Sequence, residues 1–220
     1  MTPETTQLLL PDDLADAAKG DLAAGDREAL RAVKAWLDDF ITKPHKDLGR
    51  SGTVCPFVPA SLQRRTLFLA AEHISDLDAP GVAELMQGYR RLLLKTAPPG
   101  PDDAMYSTII VVFPNVPAEQ ARQVFGDVLG QIGEAAFEDD GIIFGPFFEG
   151  NDGTAIYNSD FRPFQSPVPF IFVRYTVVSD WKFFVDDDAA VDRWARHFGP
   201  AGTAVLAKEL RRMPWRANPE

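Results

Sequence analysis

Tyr106-Ser107-Thr108-Ile109-Ile110-Val111-Val112-Phe113 is the stretch of this chain that decides the fold class. Residues 108–113 are β-branched or aromatic without interruption, a composition typical of strands. Because apolar residues occupy both alternating faces, the run predicts a central strand that other elements cover on both sides.

Outward from this strand, helix-like and strand-like patterns follow one another. Helices are predicted over 26–42, from 78, from 117, over 188–198 and over 200–212. Strands are predicted over 66–70, 141–148 and 169–178, with 155–157 as a short hairpin partner of the 141–148 strand. Glycines and prolines recur through residues 44–64 and predict a loop there.

This order of elements predicts an α+β fold. We expect a single globular domain over residues 26–213, with a mostly antiparallel central sheet of roughly four to six strands and helices packed on it. Residues 1–25 are expected to form a loose N-terminal arm and residues 214–220 a C-terminal tail.

Composition excludes several classes of function. The formal net charge of −10 argues against nucleic acid and anionic membrane surfaces as partners. The single cysteine excludes an intrachain disulfide and a zinc site with several thiolates. We therefore expect a cytoplasmic protein with a small-molecule substrate. A homodimer is compatible with this composition.

Two scarce residue types share one loop, since residues 45–57 contain His45 and the only cysteine, Cys55. One interpretation is that His45 or Cys55 binds a metal or haem iron, or that Cys55 is a reactive thiolate. The other is structural: His45 caps the preceding helix or holds the loop by hydrogen bonds, and Cys55 is a small buried apolar residue.

A second unusual stretch surrounds Arg162, which stands among aromatic residues and prolines just before a predicted strand. A buried guanidinium needs an anionic partner. That partner is either an internal carboxylate or a ligand such as a substrate carboxylate or a haem propionate, and Arg50 has the same two interpretations. The neighbouring aromatic residues, which include Phe144 and Tyr157, either floor a flat apolar ligand or belong to the core.

Three motifs resemble an uncharacterised actinobacterial domain family over roughly residues 30–185. They are His-x-Asp-Leu-Gly-Arg at 45–50, Val-Cys-Pro-Phe-Val at 54–58 and Phe-Arg-Pro-x-x-Ser-Pro-Val-Pro at 161–169.

More distantly, the plan is similar to the YqcI/YcgG family of haem proteins. The 106–113 strand matches a strand of that family, and Phe144-Gly145 match its Phe-x-Gly-Glu turn with Pro146 in place of the glutamate. Arg162 and Ser166 lie near its Arg-x-Ser-Arg segment with different spacing, and the histidine that precedes that arginine in the haem family is missing here.

The resemblance implies a haem-dependent oxygenase of specialised metabolism that N-oxygenates an amine or guanidine of a small substrate. The alternative is a non-catalytic small-molecule-binding or accessory protein without a cofactor. We expect residues 44–57 and 158–167 to meet and line one pocket. The candidate haem-binding residues are His45, Arg50, Cys55 and Arg162, with Cys55 or His45 as the iron ligand, and the candidate substrate-binding residues are Phe144, Tyr157 and Ser166.

Overall fold

A four-stranded sheet lies at the centre of the computed structural model, which describes residues 7–16, 22–74, 79–97 and 104–211. The strands are β1 (Leu67–Ala71), β2 (Thr108–Val112), β3 (Ile142–Phe147) and β4 (Phe170–Tyr175), in the order β1-β2-β4-β3. The β1 and β2 strands are parallel, whereas β4 runs antiparallel to both of its neighbours. The predicted α+β fold with a mostly antiparallel sheet is confirmed.

The helices surround this sheet. They are α1 (Ala24–Trp36), α2 (Val58–Arg64), α3 (Ala79–Thr96), α4 (Ala118–Asp140) and α5 (Asp188–Leu210). A π-helical segment, Leu37–Ile41, continues α1. Non-helical backbone at Gly199 divides α5 where the sequence predicts two successive helices. Within the described residues, no helix combines the length and the apolar character that a bilayer span requires.

The β2 strand is covered on both faces, as its sequence predicts. Ile109 and Val111 are buried in the cluster that α3 and α4 complete. Ile110 and Val112 point the other way, into the cluster built on α1. Alternation along the strand thus assigns one continuous apolar run to two separate cores.

Residues 44–64 differ from the predicted loop, because their last part forms helix α2. Pro59 lies in the first turn of α2. Backbone N–H groups in a first turn have no partner within the helix, so the missing N–H of proline costs no hydrogen bond there. The proline that suggests a loop is therefore a helix-starting residue here.

The segment after β3 also differs from prediction. Ala155 forms an isolated bridge with Asn158 and no ladder with β3, whose neighbour is β4. Residues 148–169 form a long connection that crosses one face of the sheet, and its prolines prevent regular pairing.

Part of the arm predicted to be loose is packed on the domain. Leu9 pairs with Leu69 of β1 through two backbone hydrogen bonds of 2.8 and 2.9 Å. Leu14, in the short 3-10 turn Pro11–Ala15, is fully buried. Burial of these two leucines and pairing with the edge strand hold residues 7–16 in place. The predicted tail, 214–220, lies outside the described residues.

The end of α2 contains the one positive-φ residue other than glycine among the residues described. Arg65 has φ 58° and ψ 39°. Its N–H donates to the Leu62 carbonyl oxygen, and the Thr66 N–H donates to that of Ser61 at 3.0 Å. This is a Schellman cap, which usually has glycine at the left-handed position. An arginine here imposes backbone strain that a glycine would avoid.

We expect Arg65→Gly to raise the free energy of unfolding by about 0.5–1 kcal/mol, since relief of the strained backbone exceeds the extra entropy of glycine in the unfolded chain. Urea unfolding of purified variants measures this change. Gln63→Gly is the matched control: this residue is helical and exposed, and the substitution should cost about 1 kcal/mol. Destabilisation by both substitutions would contradict the prediction.

Candidate functional site

The two loops in which the sequence places most of its candidate residues contact each other. We call residues 44–57 the histidine loop and residues 155–168 the return segment. The ring of His45 stacks on Phe161 with 4.4 Å between centroids and 16° between planes. Asn158 Nδ2 donates to the Asp47 carbonyl oxygen at 2.7 Å. These contacts confirm that the two regions meet.

A glycine allows the two loops to approach. Gly49 has φ 76°, in the region that glycine adopts without strain. A Cβ at this position would lie 2.4 Å from the Tyr157 carbonyl oxygen. Gly49 therefore meets two requirements at once, a left-handed backbone and close contact with the return segment.

Beneath these loops lies a layer of aromatic rings on the α1 side of β3 and β4. Phe147 and Phe170 are stacked at 4.7 Å, and Trp36 makes edge contacts with both. Phe161 reaches the same layer through Phe40 at 6.1 Å. Most of these rings belong to the α1-side core or pack against it, so the layer is hydrophobic core covered by the two loops.

His45 is held by its own loop. The Asp47 N–H donates to His45 Nδ1 at 3.2 Å, and His45 caps the short turn Lys46–Leu48. In the neutral ring the proton then lies on Nε2. Iron ligation through Nε2 would need the other tautomer and the loss of this hydrogen bond. His45 in this arrangement therefore does not fit an iron ligand.

Cys55 lies at the margin of the α1-side core and is half-buried. Its backbone N–H donates to the Ile41 carbonyl oxygen at 3.0 Å, and its carbonyl oxygen accepts from Thr53 Oγ1 at 2.8 Å. The described residues contain no group of three or more His, Cys, Asp or Glu side chains placed to hold a metal ion. The two hydrogen bonds involve backbone atoms of Cys55 and hold this residue in place within the loop.

The two arginines bond to backbone oxygens. Arg50 donates to the carbonyl oxygens of Ser51 and Val54, each at 3.0 Å, and Arg162 donates to that of Ser159. Within the described residues neither arginine forms an ion pair with a carboxylate. The internal carboxylate that the sequence offers as a partner of Arg162 is therefore not in contact with it. Arg122 lowers the pKa of Asp152 through a hydrogen bond and its charge, and the charge of Arg162 adds a smaller effect.

The three candidate substrate residues are in different places. Phe144 packs against the α3–α4 core, on the face of the sheet opposite the histidine loop. Ser166 is buried, and its hydroxyl donates to the Val168 carbonyl oxygen at 2.8 Å. Tyr157 is 49% exposed. Of the three, Tyr157 is the most exposed.

Lys182, which the sequence analysis does not single out, lies directly beside Tyr157. Its ammonium donates to Tyr157 Oη at 2.6 Å and lies 3.5 Å from a Glu209 carboxylate oxygen. The Lys182 side chain is only 15% exposed, and its Nζ lies 5.2 Å from the Tyr157 ring centroid and 5.7 Å from that of Trp181.

Phe183 extends this surface. It is 50% exposed and contacts Phe164 of the return segment at 6.1 Å between centroids. We call Tyr157, Phe164, Lys182 and Phe183 the aromatic rim. In the sequence, the signal for this surface is a single lysine among the aromatic residues of 181–184. Core packing explains that pattern as well as a binding surface does, and only the position of Tyr157 beside Lys182 distinguishes the two.

Together, the mixed sheet and its loop-covered aromatic face define an α+β domain with an exposed aromatic rim and no assigned chemistry. Comparison with protein families matches residues 30–209 to the family described as "Domain of unknown function (DUF6875)". The chain belongs to this family, which confirms the expectation of an uncharacterised domain. Comparisons with curated proteins and with solved structures each gave no match.

We expect Gly49→Ala to lower the free energy of unfolding by about 1–3 kcal/mol, because the new Cβ strains a left-handed backbone and collides with Tyr157. Urea unfolding measures the change. Gly25→Ala is the matched control, since a Cβ there meets nothing within 4 Å and Gly25 lies in α1. That control should stabilise the protein, by up to about 1 kcal/mol. Equal stability of Gly49→Ala and wild type would show that the loops do not meet in this way.

Proposed function

We propose that this protein is a small-molecule-binding or accessory protein that works without a bound cofactor, and that its ligand contacts the aromatic rim. The observation that supports this proposal is the Lys182 ammonium, 2.6 Å from the hydroxyl of the half-exposed Tyr157, on a side chain that is itself only 15% exposed. Lysine side chains with so little exposure are uncommon unless they are paired. Lys182 is paired with the Glu209 carboxylate and also with Tyr157, which faces solvent.

The direction of this hydrogen bond determines what Tyr157 offers to a ligand. An ammonium group only donates, so Tyr157 Oη is the acceptor in this contact. The phenolic O–H is then left to donate to another acceptor. A ligand oxygen, such as that of a carboxylate, phenolate or sulfonate, fits this donor.

The exposed rings determine the rest of the ligand. Tyr157 and Phe183 are each about half exposed, and ligand sites are lined mainly by apolar and aromatic side chains with a few polar groups among them. A flat apolar body with one acceptor oxygen is therefore the class of ligand that the aromatic rim favours.

The histidine loop, by contrast, supports a structural interpretation. Arg50, His45 Nδ1 and the backbone of Cys55 all take part in hydrogen bonds within or next to that loop. Its polar groups are engaged in fixing its conformation, which agrees with the proposal of a loop that supports the neighbouring surface.

Binding of 1-anilinonaphthalene-8-sulfonate tests the proposal, since this dye combines a flat apolar body with a sulfonate and fluoresces when apolar surface binds it. We expect saturable binding to the wild-type protein. Tyr157→Ala and Lys182→Met should each weaken it about tenfold, equivalent to about 1.4 kcal/mol.

Met105→Ser is the matched control, because Met105 is an exposed apolar residue, 39% exposed, that is not part of the aromatic rim. Its dye binding should equal that of the wild type. Absent saturable binding, or unchanged binding by Tyr157→Ala, would refute the proposal. Circular dichroism of each variant checks that its fold is retained.

Haem-dependent N-oxygenation of a small amine or guanidine stays a prediction from the sequence resemblance. The visible spectrum of protein purified from cells grown with a haem precursor tests it. A Soret band that remains after gel filtration would favour the oxygenase. No Soret band, together with no tight binding in haem titration, would count against it.

A further inference from the structure

We propose that a cleft on the α1 side of the molecule, separate from the aromatic rim, binds a small zwitterionic amino acid. The cleft lies between the Pro11–Ala15 turn, α1 and the end of α2, and has a volume of about 70 Å³. The half-buried Leu10 and Leu62 contribute to its apolar lining, and its charged lining residues are Asp12, Lys34, Asp38 and Arg65.

Charges of both signs surround the cleft in pairs. Lys34 Nζ lies 2.6 Å from Asp38 Oδ2, and Arg65 Nη1 lies 3.7 Å from Asp12 Oδ2. All four side chains are 30–76% exposed, so each can turn toward a ligand at little cost. Two cations and two carboxylates around one apolar floor complement a ligand that itself has one charge of each sign.

In the proposed complex each ligand charge meets its opposite. The ligand carboxylate accepts hydrogen bonds from Lys34 and Arg65, and a guanidinium suits a carboxylate especially well. The ligand ammonium donates to Asp38 and Asp12. A ligand with a single charge would bind either the two cations or the two carboxylates, and the other two groups would make no contact with it.

Two uncommon backbone conformations meet at this cleft. Asp38 belongs to the π-helical segment Leu37–Ile41, where the Thr42 N–H donates to the Leu37 carbonyl oxygen at 3.0 Å. Single π-helical turns are rare and occur frequently at functional sites. Arg65 has the left-handed backbone described above. Strained residues cluster at ligand-binding sites, where the strain is retained for function.

The size of the cleft limits the ligand. Pockets for drug-sized molecules occupy roughly 300–1,000 Å³, and a dry cavity of roughly 150 Å³ holds benzene. A volume of about 70 Å³ accommodates a few non-hydrogen atoms. Only the α-carbon and a short side chain of an amino acid fit within this volume, so the charged groups of the ligand lie at the rim of the cleft.

Calorimetric titration of the full chain with glycine, L-alanine and L-serine tests the proposal. Propionate and ethylamine are the matched ligands, since each keeps one of the two charges of alanine at similar size. We expect at least one amino acid to bind saturably. Propionate and ethylamine should each bind at least about tenfold more weakly.

Lys34→Met, Asp38→Asn and Arg65→Gly should each weaken amino-acid binding about tenfold. Arg65→Gly is the sharpest variant, because we expect it to be more stable than the wild type while it binds less well, which separates loss of binding from loss of fold. Lys46→Met is the control: this lysine is 87% exposed and lies in the histidine loop, outside the cleft.

Three results would overturn the proposal: no saturable binding of any of the three amino acids, propionate or ethylamine binding as tightly as the amino acid, or unchanged affinity in Arg65→Gly. Dye binding at the aromatic rim is tested with variants of Tyr157 and Lys182, and neither of these residues lines the cleft. Failure of the cleft proposal is thus distinguishable from failure of the proposed function.

Discussion

Burial of β2 on both faces is the constraint on which the rest of this structure depends. A strand with no solvent-facing side needs two cores, and the chain supplies them from different segments. Helices α3 and α4 cover one face, and α1 covers the other together with residues 7–16. Parallel pairing with β1 and antiparallel pairing with β4 leave β2 with no free edge. Full burial of such side chains, at about 1.5–3 kcal/mol each, makes this strand the centre of the domain.

The outer half of the sheet has a layer of aromatic rings on its α1-side face, and α1 reaches this layer through Trp36, the last residue of that helix. Phe147, Phe170 and Phe172 project from this face, and exposure of three such rings would be costly. The histidine loop and the return segment cover them and are joined by the stacking of His45 on Phe161. This covering role explains why residues that look chemically interesting in the sequence are engaged in hydrogen bonds within their own loops.

Charge is distributed unevenly over this acidic chain. Lys182 is half-buried beside two aromatic rings, with Glu209 nearby, while Lys34 and Arg65 alternate with carboxylates around a cleft. In a protein with a net charge of −10, each of these cations lies beside a carboxylate that offsets its charge. The positions of these pairs matter more for a nearby ligand than the total charge, because Coulomb interactions between exposed charges are screened within about 10 Å at ordinary ionic strength.

The sequence by itself determined the fold class, the central strand and the positions of most helices, because the 3.6- and 2-residue periods of apolar residues are local signals. It even indicated the division of α5 at Gly199. Only the tertiary structure decided which residues share a surface. Tyr157 and Lys182 are 25 positions apart and become neighbours through the fold alone. Contacts between distant segments depend on packing, on which local periodicity contains no information.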